Sequence, residues 1–326
     1  MSTIYFFDTD TEDQTLVVSR FPDAVFLDSA LRGDAIVAAC ADAEVISTFI
    51  TTPFPREVIA KLPKLKLLCT RSVGYDHIDV AACEEHGITV CNVPDYGSHV
   101  IAEHVFALLL STIRHIPEGD TRVEDGQFDY HGLRGMSLHG KTIGIIGTGR
   151  IGRTVARIAH GFAMHILAVD VCRVLDIMED YRVEYVELPE LLAKSDIITL
   201  HVPSIADTKN MINAGTIAQM KDGAILVNTA RGSLIDAPAL IAALDSGKIR
   251  YALLDVLEHE ADVTLDDALV HHKNVVVTPH IAFYADDSVR NMFTDSFDSI
   301  DQWKKGETPA HAVKPLRIVC EVVPKK

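Results

Sequence analysis

The stretch Lys141-Thr-Ile-Gly-Ile-Ile-Gly147-Thr-Gly149-Arg-Ile-Gly152-Arg-Thr-Val-Ala156 is the point from which the whole chain can be parsed. An apolar run leads into G-x-G-x-x-G, and an amphipathic helical pattern leads out of it. Strand, tight turn and helix therefore follow one another. Gly147 permits the turn, Gly149 lets a phosphate approach the backbone, and Gly152 lets helix and strand pack closely. The free N–H groups of the helix N-terminus then face a diphosphate. Alone, the motif also fits a glycine-rich turn with no ligand. Asp170 makes it more specific, because it ends the next apolar run eighteen residues past Gly152. An acid there accepts hydrogen bonds from an adenosine ribose. It also repels a 2′-phosphate, which favours NAD over NADP, although Arg173 close by is able to accommodate that phosphate.

Outward from this unit, short apolar runs and helical segments alternate on both sides. Downstream, strands are expected at Thr142–Ile146, Ile166–Asp170, Ile197–His201, Ala224–Val227, Tyr251–Leu254 and Val275–Val277. Helices are expected at Ile151–His160, Pro189–Ala193, Ala214–Met220 and Pro238–Asp245. Six strands with interleaved helices make a doubly wound nucleotide-binding sheet. Upstream, Ile4–Phe7, Val45–Ile46, Leu65–Cys69 and Thr89–Val93 read as strands, and Leu31–Ala41, Arg56–Leu62 and Asp79–His86 as helices. That alternation predicts another parallel sheet with helical crossovers. Val100–His115 reads as a helix apolar on more than one face, hence buried against its own domain, a partner domain or a partner subunit. From Asp286 to about Lys304 the chain reads as helix, then as a short extended tail. The fold class is α/β, with two doubly wound parallel-sheet domains of Rossmann and flavodoxin-like type.

The bulk properties agree. A chain of 326 residues suits two domains. A net charge of −16 argues against a nucleic-acid partner and requires a local cation to capture an anionic substrate. The six cysteines, Cys40, Cys69, Cys83, Cys91, Cys172 and Cys320, form no C-x-x-C pair and read as reduced, mostly buried small hydrophobes. Met-Ser-Thr-Ile-Tyr-Phe-Phe-Asp8 reads as a first strand without a basic leader. No apolar stretch approaches the ~18 residues that span a bilayer. A cytoplasmic protein without a membrane partner or a metal is expected.

Three segments beyond the glycine motif end an apolar run in a polar residue: Leu226-Val-Asn-Thr-Ala-Arg231, Leu254-Asp255-Val-Leu-Glu-His-Glu260 and Val277-Thr-Pro-His280. Carboxyl ends of parallel strands are where open α/β sheets bind ligands, so Arg231 and His280 are drawn towards one crevice. Reducing a 2-oxo acid needs a hydride source, a cation for carboxylate and carbonyl, and a proton donor for the nascent alkoxide. Taken singly, Arg231 also reads as a surface ion pair, His280 as a core histidine and Glu260 as a solvated loop acid.

Taken together, these motifs carry a family resemblance. Arg71-Ser-Val-Gly74-Tyr-Asp-His-Ile-Asp79, Val93-Pro-Asp-Tyr96, Ala102-Glu103-His104, Gly147–Gly152, Asn228-Thr-Ala-Arg231-Gly232, Asp255–Glu260 and Pro279-His280 resemble the D-isomer-specific 2-hydroxyacid dehydrogenases, in particular the D-lactate dehydrogenase branch. The resemblance runs nearly end to end. It implies that Arg231 holds the substrate carboxylate and polarises its carbonyl. His280 would donate the proton in reduction, with Glu260 pairing to it and keeping it protonated. The Val73 and Gly74 backbone would bind the carboxylate, and Tyr96 would line the cleft. For NAD, Arg150 and Ile151 would lie on the pyrophosphate, Val202, Pro203 and Thr208 beside the adenine, and Thr229, Ala230 and Asp255 beside the nicotinamide. Asp255 also reads as a strand-end cap.

His280-Ile-Ala-Phe283-Tyr284 favours the lactate branch, because glycerate-type relatives usually place small polar residues after the histidine. Phe283 would be an apolar wall, and Phe49 would touch the substrate side chain. The interval between Glu260 and His280 is shorter than in many lactate-type members. The resemblance also implies a cofactor domain, residues 97–285, inserted in a substrate domain made of 1–96 and 286–326, with hinges near Tyr96 and Tyr284. The Val100–His115 helix is a homodimer-interface candidate. The expected reaction is NAD-dependent interconversion of pyruvate and D-lactate. The alternatives are a larger 2-oxo acid such as 2-oxoisocaproate or phenylpyruvate, glyoxylate, or an NAD-sensing, corepressor-like binding protein without turnover.

Overall fold

The computed structural model describes residues 3–313. It divides into two compact units, one running to Gly97 and resuming at Ala285, the other spanning Ser98–Tyr284.

The first unit holds a parallel five-stranded sheet of β1 (Ile4–Phe6), β2 (Val25–Phe26), β3 (Val45–Thr48), β4 (Leu67–Thr70) and β5 (Thr89–Cys91), in the order β2-β1-β3-β4-β5. The inner strands β3 and β4 are buried at every position. Both faces are covered, so these runs show no alternation of buried and exposed positions, and even Ser47, Thr48 and Thr70 are buried. The helix Asp286–Lys304 closes this unit, setting Phe297 edge-on to Phe6 and Phe21.

The second unit holds a parallel seven-stranded sheet: β6 (Thr142–Ile146), β7 (His165–Val169), β8 (Val183–Tyr185), β9 (Ile197–Leu200), β10 (Ala224–Asn228), β11 (Ile249–Leu254) and β12 (Val275–Val277). Its order is β12-β11-β10-β9-β6-β7-β8. Strand order reverses between β6 and β9, and ligands bind outside the carboxyl ends at such a switch point.

Several short elements were not expected. Strands β2 and β8 are edge strands of two and three residues, too short to show a hydrophobic period. The helices Thr11–Arg20, Ile116–Glu124 and Leu175–Asp180 were also missed. Thr11–Arg20 starts at a reciprocal cap between Asp10 and Asp13, a signal held in polar residues. The expected Val100–His115 helix spans Ser98–Ile113, and its Ala102, Val105, Phe106 and Leu109 are buried in its own unit's core. Its broad apolar surface is thus largely covered within the chain. Cys40, Cys69, Cys83 and Cys91 are free and buried, whereas Cys172 is disulfide-bonded, against the expectation of reduced thiols. The expected extended tail beyond residue 313 lies outside the described residues. Among the described residues no single helix is long and apolar enough to cross a membrane.

Candidate active site

The glycine motif forms the β6 turn and the start of the helix Arg150–Gly161. Gly147 has φ +97, and a Cβ there would stand 2.6 Å from the His201 carbonyl oxygen. At Gly152 a Cβ would stand 2.0 Å from the Gly147 carbonyl oxygen, whereas at Gly149 it would meet nothing within 4 Å. Two glycines therefore close the turn and the third leaves its outer side open. No side chain caps the helix at Gly149, so its first-turn N–H groups keep their capacity for an anion.

Asp170 follows β7 directly. One of its oxygens accepts from Thr148 N at 2.5 Å and Thr148 Oγ1 at 3.0 Å, and the other from Cys172 N at 2.9 Å. The second oxygen keeps a lone pair for a ribose hydroxyl. Tyr185 supports the arrangement by donating its hydroxyl to Thr148 Oγ1 at 2.8 Å. The Arg173 guanidinium lies 6.0 Å from the Tyr185 ring centre. Val202 and Pro203 follow β9, where Thr208 Oγ1 accepts from Ile205 N at 2.9 Å and donates to Pro203 O at 2.6 Å, closing the loop. Thr229 Oγ1 is buried with no hydrogen-bond partner. An open glycine, an uncapped helix end, a spare acceptor on Asp170 and an orphaned hydroxyl all fit NAD.

Beyond β12, His280 Nδ1 lies 2.9 Å from Glu260 Oε2, and the other Glu260 oxygen accepts from Leu257 N at 3.4 Å. The Phe283 ring stands edge-to-face with His280 at 6.4 Å between centroids. Arg231 follows β10 in a loop bridged by Asn228, which donates to Arg231 O at 2.8 Å and accepts from Ala230 N at 3.0 Å. A Cβ on Gly232 would stand 2.0 Å from the Leu257 carbonyl carbon. Only glycine lets the Arg231 loop rest directly on the chain leading to Glu260. The shorter interval between Glu260 and His280 does not separate them.

Asp255, at the end of β11, is buried. Its carboxylate accepts from Thr278 Oγ1 at 2.5 Å, Ile281 N at 2.9 Å and Ala282 N at 2.8 Å. Burial alone would push this carboxyl up, but hydrogen bonds from His104, Thr278 and the two amides outweigh it and hold the group below the usual range. Asp255 thus spends most of its acceptor capacity on the loop that carries His280. A cavity of about 600 Å³ in this unit is lined by His104, Leu108, Tyr251, Lys273 and Val276, and it contains none of Arg231, Glu260 or His280.

In the first unit, the carbonyls of the Ser72–Gly74 loop are claimed internally. Val93 N donates to Ser72 O at 3.0 Å, Asn92 Nδ2 to Val73 O at 2.8 Å and Ser72 Oγ to Gly74 O at 2.6 Å. The amides of Val73 and Gly74 have no acceptor among the described residues. Phe49 is half-buried, not core, and its amide donates to Asp8 at 2.8 Å. Tyr96 is buried. The fully buried Arg71 guanidinium donates to Ser47 Oγ, Phe7 O and Asp8 O at 2.6–2.8 Å, fixing the strand ends around Asp8. Asp8, Asn92, Asn228, Thr278 and the packing role of Gly232 are visible only in the structure. Asn228 and Gly232 lie inside the Asn228-Thr-Ala-Arg231-Gly232 motif, while Asp8 carries no signal beyond ending a strand.

A Rossmann sheet whose strand ends carry an arginine and a histidine–carboxylate pair defines a nicotinamide-dependent dehydrogenase. The model of the D-isomer specific 2-hydroxyacid dehydrogenase, NAD binding domain, matches residues 106–282, and the chain belongs to this family. It is an oxidoreductase, and NAD is its cofactor. It is 36% identical over 307 residues to a 2-hydroxyacid dehydrogenase homolog of Haemophilus influenzae, covering 90% of this chain and 92% of the relative. It is 38% identical over 282 residues to a glyoxylate reductase of Korarchaeum cryptofilum, covering 85% of each. Among solved structures, D-lactate dehydrogenase from Aquifex aeolicus complexed with NAD and lactic acid superposes with a TM-score of 0.85 at 34% identity, covering 93% of this chain and 96% of that one.

Proposed function

We propose that the protein catalyses reversible hydride transfer between NADH and a small 2-oxo acid, with pyruvate and D-lactate as the pair. The observation that carries this reading is the 2.9 Å contact of His280 with Glu260 on the strand-end loops that also bear Arg231. NADH supplies the hydride. With Nδ1 committed to Glu260, His280 has Nε2 left to pass a proton to the substrate oxygen as its charge develops. Arg231 offers a planar fork for the carboxylate and a cation for the carbonyl. The second unit is the NAD domain and the first the substrate domain, in which the Val73 and Gly74 amides have no acceptor of their own among the described residues. Phe283, edge-on to His280, provides apolar surface for a methyl group. This fits the lactic acid named for the Aquifex structure, while glyoxylate remains the second reading on the strength of the Korarchaeum relative.

The protein is proposed to act in the cytoplasm as a homodimer. Ile116, Val123, Phe128 and Tyr130, within one stretch of chain, are 59%, 51%, 96% and 79% exposed, apolar side chains that association would cover. Light scattering in solution should give twice the chain mass, and a monomer would end that part of the proposal. For the reaction, pyruvate, glyoxylate, 2-oxoisocaproate and phenylpyruvate are compared with NADH and NADPH. The highest kcat/KM is expected for pyruvate with NADH. Absence of turnover with every acid would leave a binding protein.

A further inference from the structure

His280 adopts φ +53, a left-handed conformation that a residue with a side chain keeps only where its surroundings impose it. The surroundings are specific. His280 N donates to Asp255 O and Thr278 O, both at 2.9 Å. The next two amides, Ile281 N and Ala282 N, donate to opposite oxygens of the Asp255 carboxylate. Thr278 Oγ1 donates to the first of these oxygens at 2.5 Å. The Asp255 side chain and the Thr278 hydroxyl thus clamp the backbone on both sides of His280.

The clamp does not end there. His104, on the Ser98–Ile113 helix, places Nε2 3.1 Å from Thr278 Oγ1 and 3.4 Å from Asp255 Oδ1. A hydroxyl has one proton to give. When His104 Nε2–H donates to Thr278 Oγ1, that single proton is directed to Asp255, and the rotor is fixed. The helix behind His104 is a firm anchor, since Ala102, Val105, Phe106, Leu108 and Leu109 around it are buried core. The imidazole itself is 18% exposed and borders the cavity of about 600 Å³. A changed side chain there has room without displacing core residues. No hydrogen bond joins His104 to His280 or Glu260 among the described residues.

We propose that His104 is a positioning residue: through Thr278 and Asp255 it sets the backbone on which His280 is carried. The inference rests on His280 as the proton-transfer residue of the proposed reaction.

The test uses the full-length protein and three variants, His104→Leu, His104→Gln and Thr278→Val. Each is measured for kcat and KM with pyruvate, for NADH binding by fluorescence, for melting temperature, and for amide hydrogen exchange of a peptide containing Ile281 and Ala282. His104→Leu should lower kcat about ten- to a hundredfold and speed exchange at Ile281 and Ala282, with NADH affinity within about twofold. His104→Gln restores an N–H donor and should recover kcat to within about threefold. The double variant His104→Leu/Thr278→Val should be no slower than Thr278→Val alone, because both break one chain. Unchanged kcat and exchange in His104→Leu would overturn the proposal. So would losses that multiply in the double variant, or a melting-temperature drop that Gln does not repair. If the wild type turns over no 2-oxo acid, the reaction assignment fails, while the exchange of Ile281 and Ala282 still judges the clamp.

Discussion

Acid should weaken this protein through His201 before it reaches the carboxylates. His201 stands at the end of β9 beside the Gly147 turn, with Nε2 2.9 Å from Thr199 Oγ1 and its amide donating to Ile146 O. Burial of the ring lowers its pKa from 6.5 to about 3, so the folded protein holds it neutral. The unfolded chain binds the extra proton below pH ~6.5, and stability therefore falls as pH drops from there towards ~3. At pH 5 the gap is about 1.5 pH units at ~1.4 kcal/mol each, or about 2 kcal/mol. That is an upper figure, because the residue keeps part of its surface exposed. Asp255 and Asp196 have linkage of the same sign, but in a lower pH range. Their depressed values contribute stability above pH ~4 that is lost only as pH falls below it, under the pH 7.5 to 5.0 range of the test. Urea unfolding at pH 7.5 and pH 5.0, in wild type and His201→Asn, isolates the term because the other histidines are common to both. The wild type should lose up to about 2 kcal/mol more than the variant between the two conditions. Equal losses would show that His201 is not held neutral by burial.

Other perturbations probe the site directly. Arg231→Lys keeps the charge and loses the fork, so KM for the oxo acid should rise at least tenfold and kcat fall, whereas near wild-type kinetics would remove Arg231 from the site. Asp170→Ala removes both the acceptor on the ribose edge and the repulsion of a 2′-phosphate. The kcat/KM ratio of NADH to NADPH should drop at least tenfold, and a wild type that already uses both equally would contradict the assignment. Phe49→Leu and Phe49→Ala should raise kcat/KM for longer oxo acids relative to pyruvate about tenfold, each methylene accommodated contributing roughly 1 kcal/mol. An unchanged ratio with a lowered melting temperature would make Phe49 a packing residue only.

The second sheet was readable because its long buried strands and its glycine turn are local features. Gly147, Gly149, Gly152 and Asp170 announce themselves by spacing, and the structure puts steric reasons behind two of those glycines. Strands β2 and β8 escaped because two or three residues on a sheet edge show no period. The Val100–His115 pattern told that a helix was buried but not by what, since periodicity reports an apolar face and not the partner that covers it. Arg231, Glu260 and His280 were each ambiguous alone. Their meaning depends on three strand ends far apart in sequence lying side by side, a property of sheet order. The Asp8 cluster and the His104–Thr278–Asp255 chain are farther from sequence still, because polar groups are matched by geometry that no short motif encodes.

The proposed reaction depends on His280 above all. NADH oxidation by pyruvate is followed in wild type and His280→Ala, with NADH affinity measured in the same preparations. A fall in kcat of about 10²- to 10⁴-fold in His280→Ala, with NADH affinity little changed, is the expected result. A variant that keeps its rate, or that loses NADH affinity in the same proportion, would contradict it.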